Sequence, residues 1–156
     1  MTVEVGSDAP DFTLMNQDRQ PVTLSALRGR SVVLAFFPAA FSSVCTKELC
    51  TFQDSLARLN QADAKVFGIS TDTFFALKAF RDAQGLTFPL LSDFNKQVIH
   101  EYGVFNEDMI GLKGIAKRAV FVIDGAGKVR HREILDDARL EPDYESLHSV
   151  LLGLKD

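Results

Sequence analysis

Ser31-Val32-Val33-Leu34-Ala35-Phe36-Phe37-Pro38-Ala39-Ala40-Phe41-Ser42-Ser43-Val44-Cys45-Thr46-Lys47-Glu48-Leu49-Cys50 contains both cysteines of the chain and the junction that decides its fold. Ser31 to Phe37 is an apolar run of strand length, and Pro38 ends it. From about Ser43 the apolar residues Leu49, Phe52, Leu56 and Leu59 recur at helical spacing. The stretch therefore reads as a buried strand feeding a helix that opens at Cys45.

A thiol at the opening of a helix faces unpaired N–H groups and the positive end of the helix dipole, both of which favour thiolate over thiol. A helix terminus contributes at most ~2 kcal/mol, so a strongly nucleophilic sulfur needs further donors. Ser42 can aim its hydroxyl at the sulfur or at an oxygen bound beside it, and Pro38 can cover the thiol. A fixed positive charge has to come from elsewhere in the chain. Arg118 opens the strand-like run Arg118-Ala119-Val120-Phe121-Val122-Ile123-Asp124, and a neighbouring strand can bring its guanidinium to Cys45.

Outward from this junction the pattern is α/β. Phe12 to Leu14 and Val22 to Leu24 read as the strands of an N-terminal β-hairpin around a polar turn. Lys65 to Ser70 is a second central strand; Asp72 or Thr73 caps a helix carrying Phe74, Leu77 and Phe80 and ending at Gly85. A short helix over about Asn95 to Tyr102 follows, then the Arg118 strand, a Gly125-Ala126-Gly127 turn, and Lys128 to Leu135 as hairpin partner. A last helix starts around Pro142, with Tyr144, Leu147, Leu151 and Leu154 on one face. A central mixed β-sheet flanked by helices on both faces is the economical arrangement. With 156 residues, 46% of them apolar, the chain is expected to form a single domain over 1–156 with a full core.

Charge and composition exclude several classes. The net charge is −4 with no basic run, which argues against nucleic acid or an anionic membrane as partner. Met1 to Val5 has neither a basic segment nor a long apolar one, and no run approaches ~18 apolar residues. A cytoplasmic location is expected, where a disulfide is a catalytic state rather than a staple. His100, His131 and His148 are scattered, and two cysteines five residues apart do not make a zinc pattern, so neither metal nor other cofactor is expected.

The Pro38-x-x-x-Ser42-x-x-Cys45 spacing resembles the active-site motif of the peroxiredoxins, in its Ser rather than its commoner Thr form. Ala9-Pro10-Asp11-Phe12-Thr13-Leu14 is similar to that family's usual opening. Phe88-Pro89-Leu90-Leu91-Ser92-Asp93-Phe94 and Tyr102-Gly103-Val104-Phe105-Asn106-Glu107 resemble its alkyl-hydroperoxide-reductase-E-like branch, so the likeness covers nearly the whole chain. It implies a thioredoxin-like fold and a thiol peroxidase in which Pro38, Ser42, Cys45 and Arg118 match the four active-site positions. Glu48 matches a glutamate of that branch that orients the arginine. The second cysteine, Cys50, departs from the one-cysteine members of the branch and has the spacing seen in the bacterioferritin-comigratory-protein branch. The resemblance further implies a hydroperoxide substrate, a thioredoxin- or glutaredoxin-type reductant, and a homodimer or larger assembly, for which Phe41, Phe74, Phe75 and Phe105 are candidate contacts.

Residues five apart on an intact helix have Cα atoms about 8.6 Å apart, beyond the ~7 Å reach of a disulfide. A Cys45–Cys50 bond therefore requires the first turns of the helix to unwind, taking Leu49 and Phe52 out of their packing. Simpler roles stand beside these. Cys50 also reads as an inert packed thiol, Ser42 as an N-cap, Glu48 as a first-turn acid and Arg118 as a strand-edge charge. A disulfide reductase is disfavoured by the missing C-x-x-C pair, and a non-catalytic redox sensor or partner-binding module switched by Cys45 and Cys50 is the reading from another class.

Overall fold

The apolar run at Ser31 lies at the centre of a seven-stranded sheet in the computed structural model, which describes residues 3–154. Met1, Thr2, Lys155 and Asp156, the ends of the expected 1–156 span, lie outside the described residues. The hairpin strands are β1 (Thr13–Asn16) and β2 (Pro21–Thr23), with Leu14 opposite Val22. Asn16 Oδ1 closes their turn by accepting from the backbone N–H groups of Asp18 and Gln20. Leu24, expected in the second strand, instead starts a 3-10 turn over Leu24–Leu27. Its N–H donates to the Phe12 carbonyl and its side chain turns into the core.

The central elements follow as β3 (Ser31–Phe36), α1 (Ser43–Asp54), α2 (Leu56–Gln61), β4 (Ala64–Ser70), α3 (Phe74–Gln84) and β5 (Leu90–Ser92). Then come α4 (Gln97–Glu101), β6 (Phe105–Asn106), β7 (Ile115–Ala116), β8 (Arg118–Ile123), β9 (Val129–Leu135) and α5 (Tyr144–Leu154). The sheet order is β2-β1-β5-β4-β3-β8-β9, with β3, β4 and β5 parallel and the remaining pairs antiparallel. β6 and β7 form a separate two-stranded ribbon.

The helix expected to run from Ser43 through Leu59 is two helices. It breaks at Ser55, whose N–H is shared between the Thr51 and Phe52 carbonyls at 3.1 Å each, so the last turn of α1 tightens before α2 restarts. Thr73 is the cap of α3, accepting from Ala76 N at 3.2 Å, and Gly85 ends that helix with φ +67°. Asp72 is thereby left for a different contact.

Alternation along the strands divides the core in two. Val32, Leu34 and Phe36 of β3, with Phe121 of β8, face α4 and the N-terminal segment. Val33, Ala35 and Phe37, with Val120 and Val122, face α1, α2, α3 and α5. Helices on both faces of one mixed sheet are as expected. Arg118 has the parity of Val120 and Val122, so β8 delivers it to the face on which α1 lies. Gly68 on β4 lets this layer close: a Cβ there would sit 2.7 Å from Leu90 and 3.2 Å from Phe37. Among the described residues no helix is long and apolar enough to cross a membrane.

Candidate active site

Cys45 is the third residue of α1 and is fully buried against the second core layer. β3 and β8 are direct neighbours, with Phe36 opposite Ala119, so the end of β3 that leads into α1 lies beside the start of β8. That register brings Arg118 under the first turn of α1, where its Nη2 donates to Cys45 Sγ at 3.2 Å. Nη1 donates to Glu48 Oε1 at 2.6 Å, and Nε and Nη2 donate to the Ala138 carbonyl at 3.3 and 3.0 Å. A planar guanidinium fills this three-way role because its donors point in fixed directions.

The three groups are shut off from water: Arg118 is 1% exposed, and Cys45 and Glu48 are 0% exposed. Burial pushes the Glu48 carboxyl up to about 7, against the pull of Arg118. Its Oε2 atom has no hydrogen-bond partner among the described residues. Burial also works against the Arg118 charge, but Glu48 and Cys45 outweigh it and hold the guanidinium above its ordinary value.

Ser42 precedes α1 in extended backbone, at the N-cap position, but its side chain makes no capping bond. Its Oγ donates to the Ala39 carbonyl at 3.1 Å, so neither the cap nor the contact with sulfur is made by the hydroxyl here. The reason is the loop between β3 and α1: Phe41 sits at φ +69° and turns the chain so that Ser42 faces back on Ala39. Thr46 instead ties the helix start, through its N–H and hydroxyl on the Ser42 carbonyl. Pro38 and Ser42 lie together with Val44 and Arg118 on the wall of an open cavity of about 660 Å³.

Cys50 is half-buried further along α1, with Sγ 3.9 Å from Gln84 Oε1 on α3. Both cysteines are free thiols, and α1 is unbroken between them. Of the phenylalanines considered for contacts, Phe41 and Phe75 are well exposed, whereas Phe105 is partly packed against the core and stacks on His100 at 3.9 Å.

Four residues that shape the site, Asp72, Ala138, Met109 and Ile110, are absent from the sequence-based site candidates. Asp72 Oδ2 accepts from Ala40 N at 2.8 Å and from Ser70 Oγ at 2.6 Å, fixing the β3–α1 loop from the end of β4. A carboxylate two residues after a buried serine at a strand end was the available signal. The Ala138 carbonyl has no side-chain signature. Met109 and Ile110 line the cavity from a tight turn in which Met109 and Leu112 exchange backbone hydrogen bonds at 2.9 Å; Ile110 holds φ +48° and is 89% exposed. A β-branched residue at positive φ is strained, and Ile110-Gly111 was the sequence hint.

A buried cysteine at a helix opening, held by an arginine from the adjacent strand of a central mixed sheet, defines a thiol-based redox enzyme on a thioredoxin-like fold. Residues 5–132 match the AhpC/TSA family, and the chain belongs to it: it is a peroxiredoxin. It is 42% identical over 135 residues to alkyl hydroperoxide reductase E of Mycobacterium tuberculosis, covering 85% of this chain and 86% of that one. It is 41% identical over 129 residues to the chloroplastic peroxiredoxin Q of Oryza sativa subsp. japonica, covering 83% and 58% respectively. The crystal structure of peroxidoxin BcpB from Mycobacterium tuberculosis superposes with a TM-score of 0.88 at 31% identity, over 99% of both chains.

Proposed function

We propose that this thiol-dependent peroxidase reduces hydrogen peroxide and organic hydroperoxides through Cys45, with the whole span 1–156 acting as one domain. The observation that carries the reading is the 3.2 Å contact between the buried Cys45 sulfur and Nη2 of Arg118, a residue that also lines an open cavity with Pro38 and Ser42. In the first step the Cys45 thiolate attacks the terminal oxygen of the peroxide in line with the O–O bond. An S–O bond forms, the O–O bond breaks, and the departing alkoxide takes a proton to leave as alcohol. Cys45 becomes sulfenic acid. Arg118 faces the charge as it shifts toward the leaving oxygen, and Ser42 on the cavity wall supplies a hydroxyl once it rotates off the Ala39 carbonyl. Pro38 shields the sulfur from bulk water, and Glu48 orients the arginine.

Cys50 then condenses with the sulfenic acid, releasing water, and a thioredoxin- or glutaredoxin-type dithiol reduces the resulting disulfide. Because α1 is intact in the reduced state, this step runs through local unwinding. The enzyme works in the cytoplasm as a homodimer; the exposed rings of Phe41 and Phe75 are the support for a contact surface.

Intact mass after one equivalent of hydrogen peroxide, with fragmentation, tests the scheme. A loss of ~2 Da joining Cys45 to Cys50 is expected, whereas a gain of ~16 Da persisting at Cys45 excludes Cys50 as the resolving thiol. Replacing Cys45 by serine is expected to abolish peroxide consumption with a thioredoxin system, and normal turnover in that variant refutes the mechanism.

A further inference from the structure

Arg118 has one positive charge and two buried neighbours able to become anions, Glu48 at 2.6 Å and Cys45 at 3.2 Å. All three are essentially without solvent contact. Two anions with one cation leave an uncompensated buried charge, which such a site does not sustain; one of the pair keeps a proton. The surroundings say which. Glu48 uses one of its oxygens, since the buried Oε2 has no partner among the described residues, so its anionic form is poorly solvated. Glu141, before α5, and Glu133, on β9, add negative potential at Glu48, and Lys47 is already engaged with Glu141 at 3.0 Å. Tyr144 on α5, another titratable neighbour, donates its hydroxyl to Glu141 rather than to Glu48.

We propose that in the resting enzyme Glu48 holds the proton given up by Cys45, leaving Arg118 to the thiolate, and that Glu48 releases this proton when Cys45 is oxidised. The inference rests on Cys45 being the peroxidatic residue. The neutral pair is consistent with the Glu48 carboxyl being pushed up by burial. Once Cys45 is a sulfenic acid or a disulfide it is neutral, the guanidinium has no second anion, and Glu48 ionises against it. The balance closes: a protonated Glu48, a Cys45 thiolate and ROOH give an ionised Glu48, a Cys45 sulfenic acid and ROH. The alkoxide takes its proton from solvent in the cavity and Glu48 returns one. Glu48 thus acts through Arg118 as a positioning residue whose protonation state alternates over the cycle.

Proton stoichiometry tests this directly. Reduced protein at neutral pH in weak buffer with an indicator dye is given one equivalent of hydrogen peroxide. Wild type is expected to take up about zero protons per Cys45 oxidised, and Glu48→Gln about one, because glutamine has no proton to return. Infrared difference spectra of the same reaction should show a protonated-carboxyl carbonyl band lost on oxidation in wild type and absent from Glu48→Gln. Uptake of about one proton by wild type, or no lost carboxyl band, overturns the proposal. If mass analysis shows no oxidation of Cys45, the peroxidase reading is what fails. The carboxyl band of the reduced protein at neutral pH, compared between wild type and Glu48→Gln, then still decides the state of Glu48.

Discussion

Arg118 is the residue on which the site turns. It is a fully buried cation whose donors are divided among a sulfur, a carboxylate oxygen and a backbone carbonyl. Its fork satisfies all three at once, and the Ala138 contact keeps the guanidinium plane fixed while Cys45 changes charge during turnover. Lysine preserves the charge but not the fork: an ammonium on a flexible stem cannot face Cys45, Glu48 and Ala138 together. Arg118→Lys is therefore expected to lower the rate constant for Cys45 oxidation by about 100-fold, read by rapid-quench alkylation and mass analysis. A loss of less than about threefold means that charge alone suffices and the fork is incidental.

At the scale of the element, α1 carries the nucleophile at one end and the second thiol five residues, about 1.4 turns, further on. Its buried residues Leu49 and Phe52 are part of the core layer, so it is held by packing as well as by backbone bonds. The loop that leads into it is fixed independently: Asp72 holds Ala40, and Phe41 packs edge-on against Phe80 at a centroid distance of 5.1 Å. When Cys45 and Cys50 join, the loop has anchors that do not depend on the helix, so unwinding is expected to be confined to α1. Hydrogen exchange should show lost protection across residues 42 to 56 on oxidation, with β3 and β4 unchanged. Equal protection in both redox forms sinks the unwinding.

At the scale of the molecule, the sheet serves the site by burying one charge cluster between β8 and α1 within the apolar layer on that face, and that has a consequence for stability. Burial raises the Glu48 carboxyl from 4.5 to about 7. Between those values the unfolded chain has released the Glu48 proton and the folded chain retains it, so the Glu48 contribution taken by itself falls as pH rises through this window and levels above about 7. The proton that Cys45 gives up on folding runs the other way and offsets that fall in wild type. His131 and His148 act in the opposite sense, because burial holds both below 6.5 and the unfolded chain binds their protons first as pH falls. The comparison with Glu48→Gln separates the two. The urea midpoint of the variant should gain on wild type between pH 4.5 and about 7 and then run parallel to it. A constant offset across that range contradicts the burial of a protonated Glu48.

The amino-acid sequence by itself determined the parts that rest on local periodicity. The apolar run from Ser31 to Phe37, the helical spacing from Ser43 and the position of Cys45 at the helix opening each follow from which residues share a face, and so does the parity that groups Arg118 with Val120 and Val122. Glycine and asparagine marked the turns for the same reason, since backbone conformation there is a property of a few residues. Tertiary structure alone decided the rest. That β8 lies against β3, setting Arg118 on a sulfur 73 residues away, is a matter of sheet order, which long-range packing selects and no local pattern encodes. The break at Ser55, the turning of the Ser42 hydroxyl to Ala39, the hold of Asp72 on Ala40 and the unpartnered oxygen of Glu48 are likewise outcomes of how hydrogen-bonding groups are shared once layers close. A donor or acceptor has several nearby choices in the chain, and only the packed molecule leaves it one.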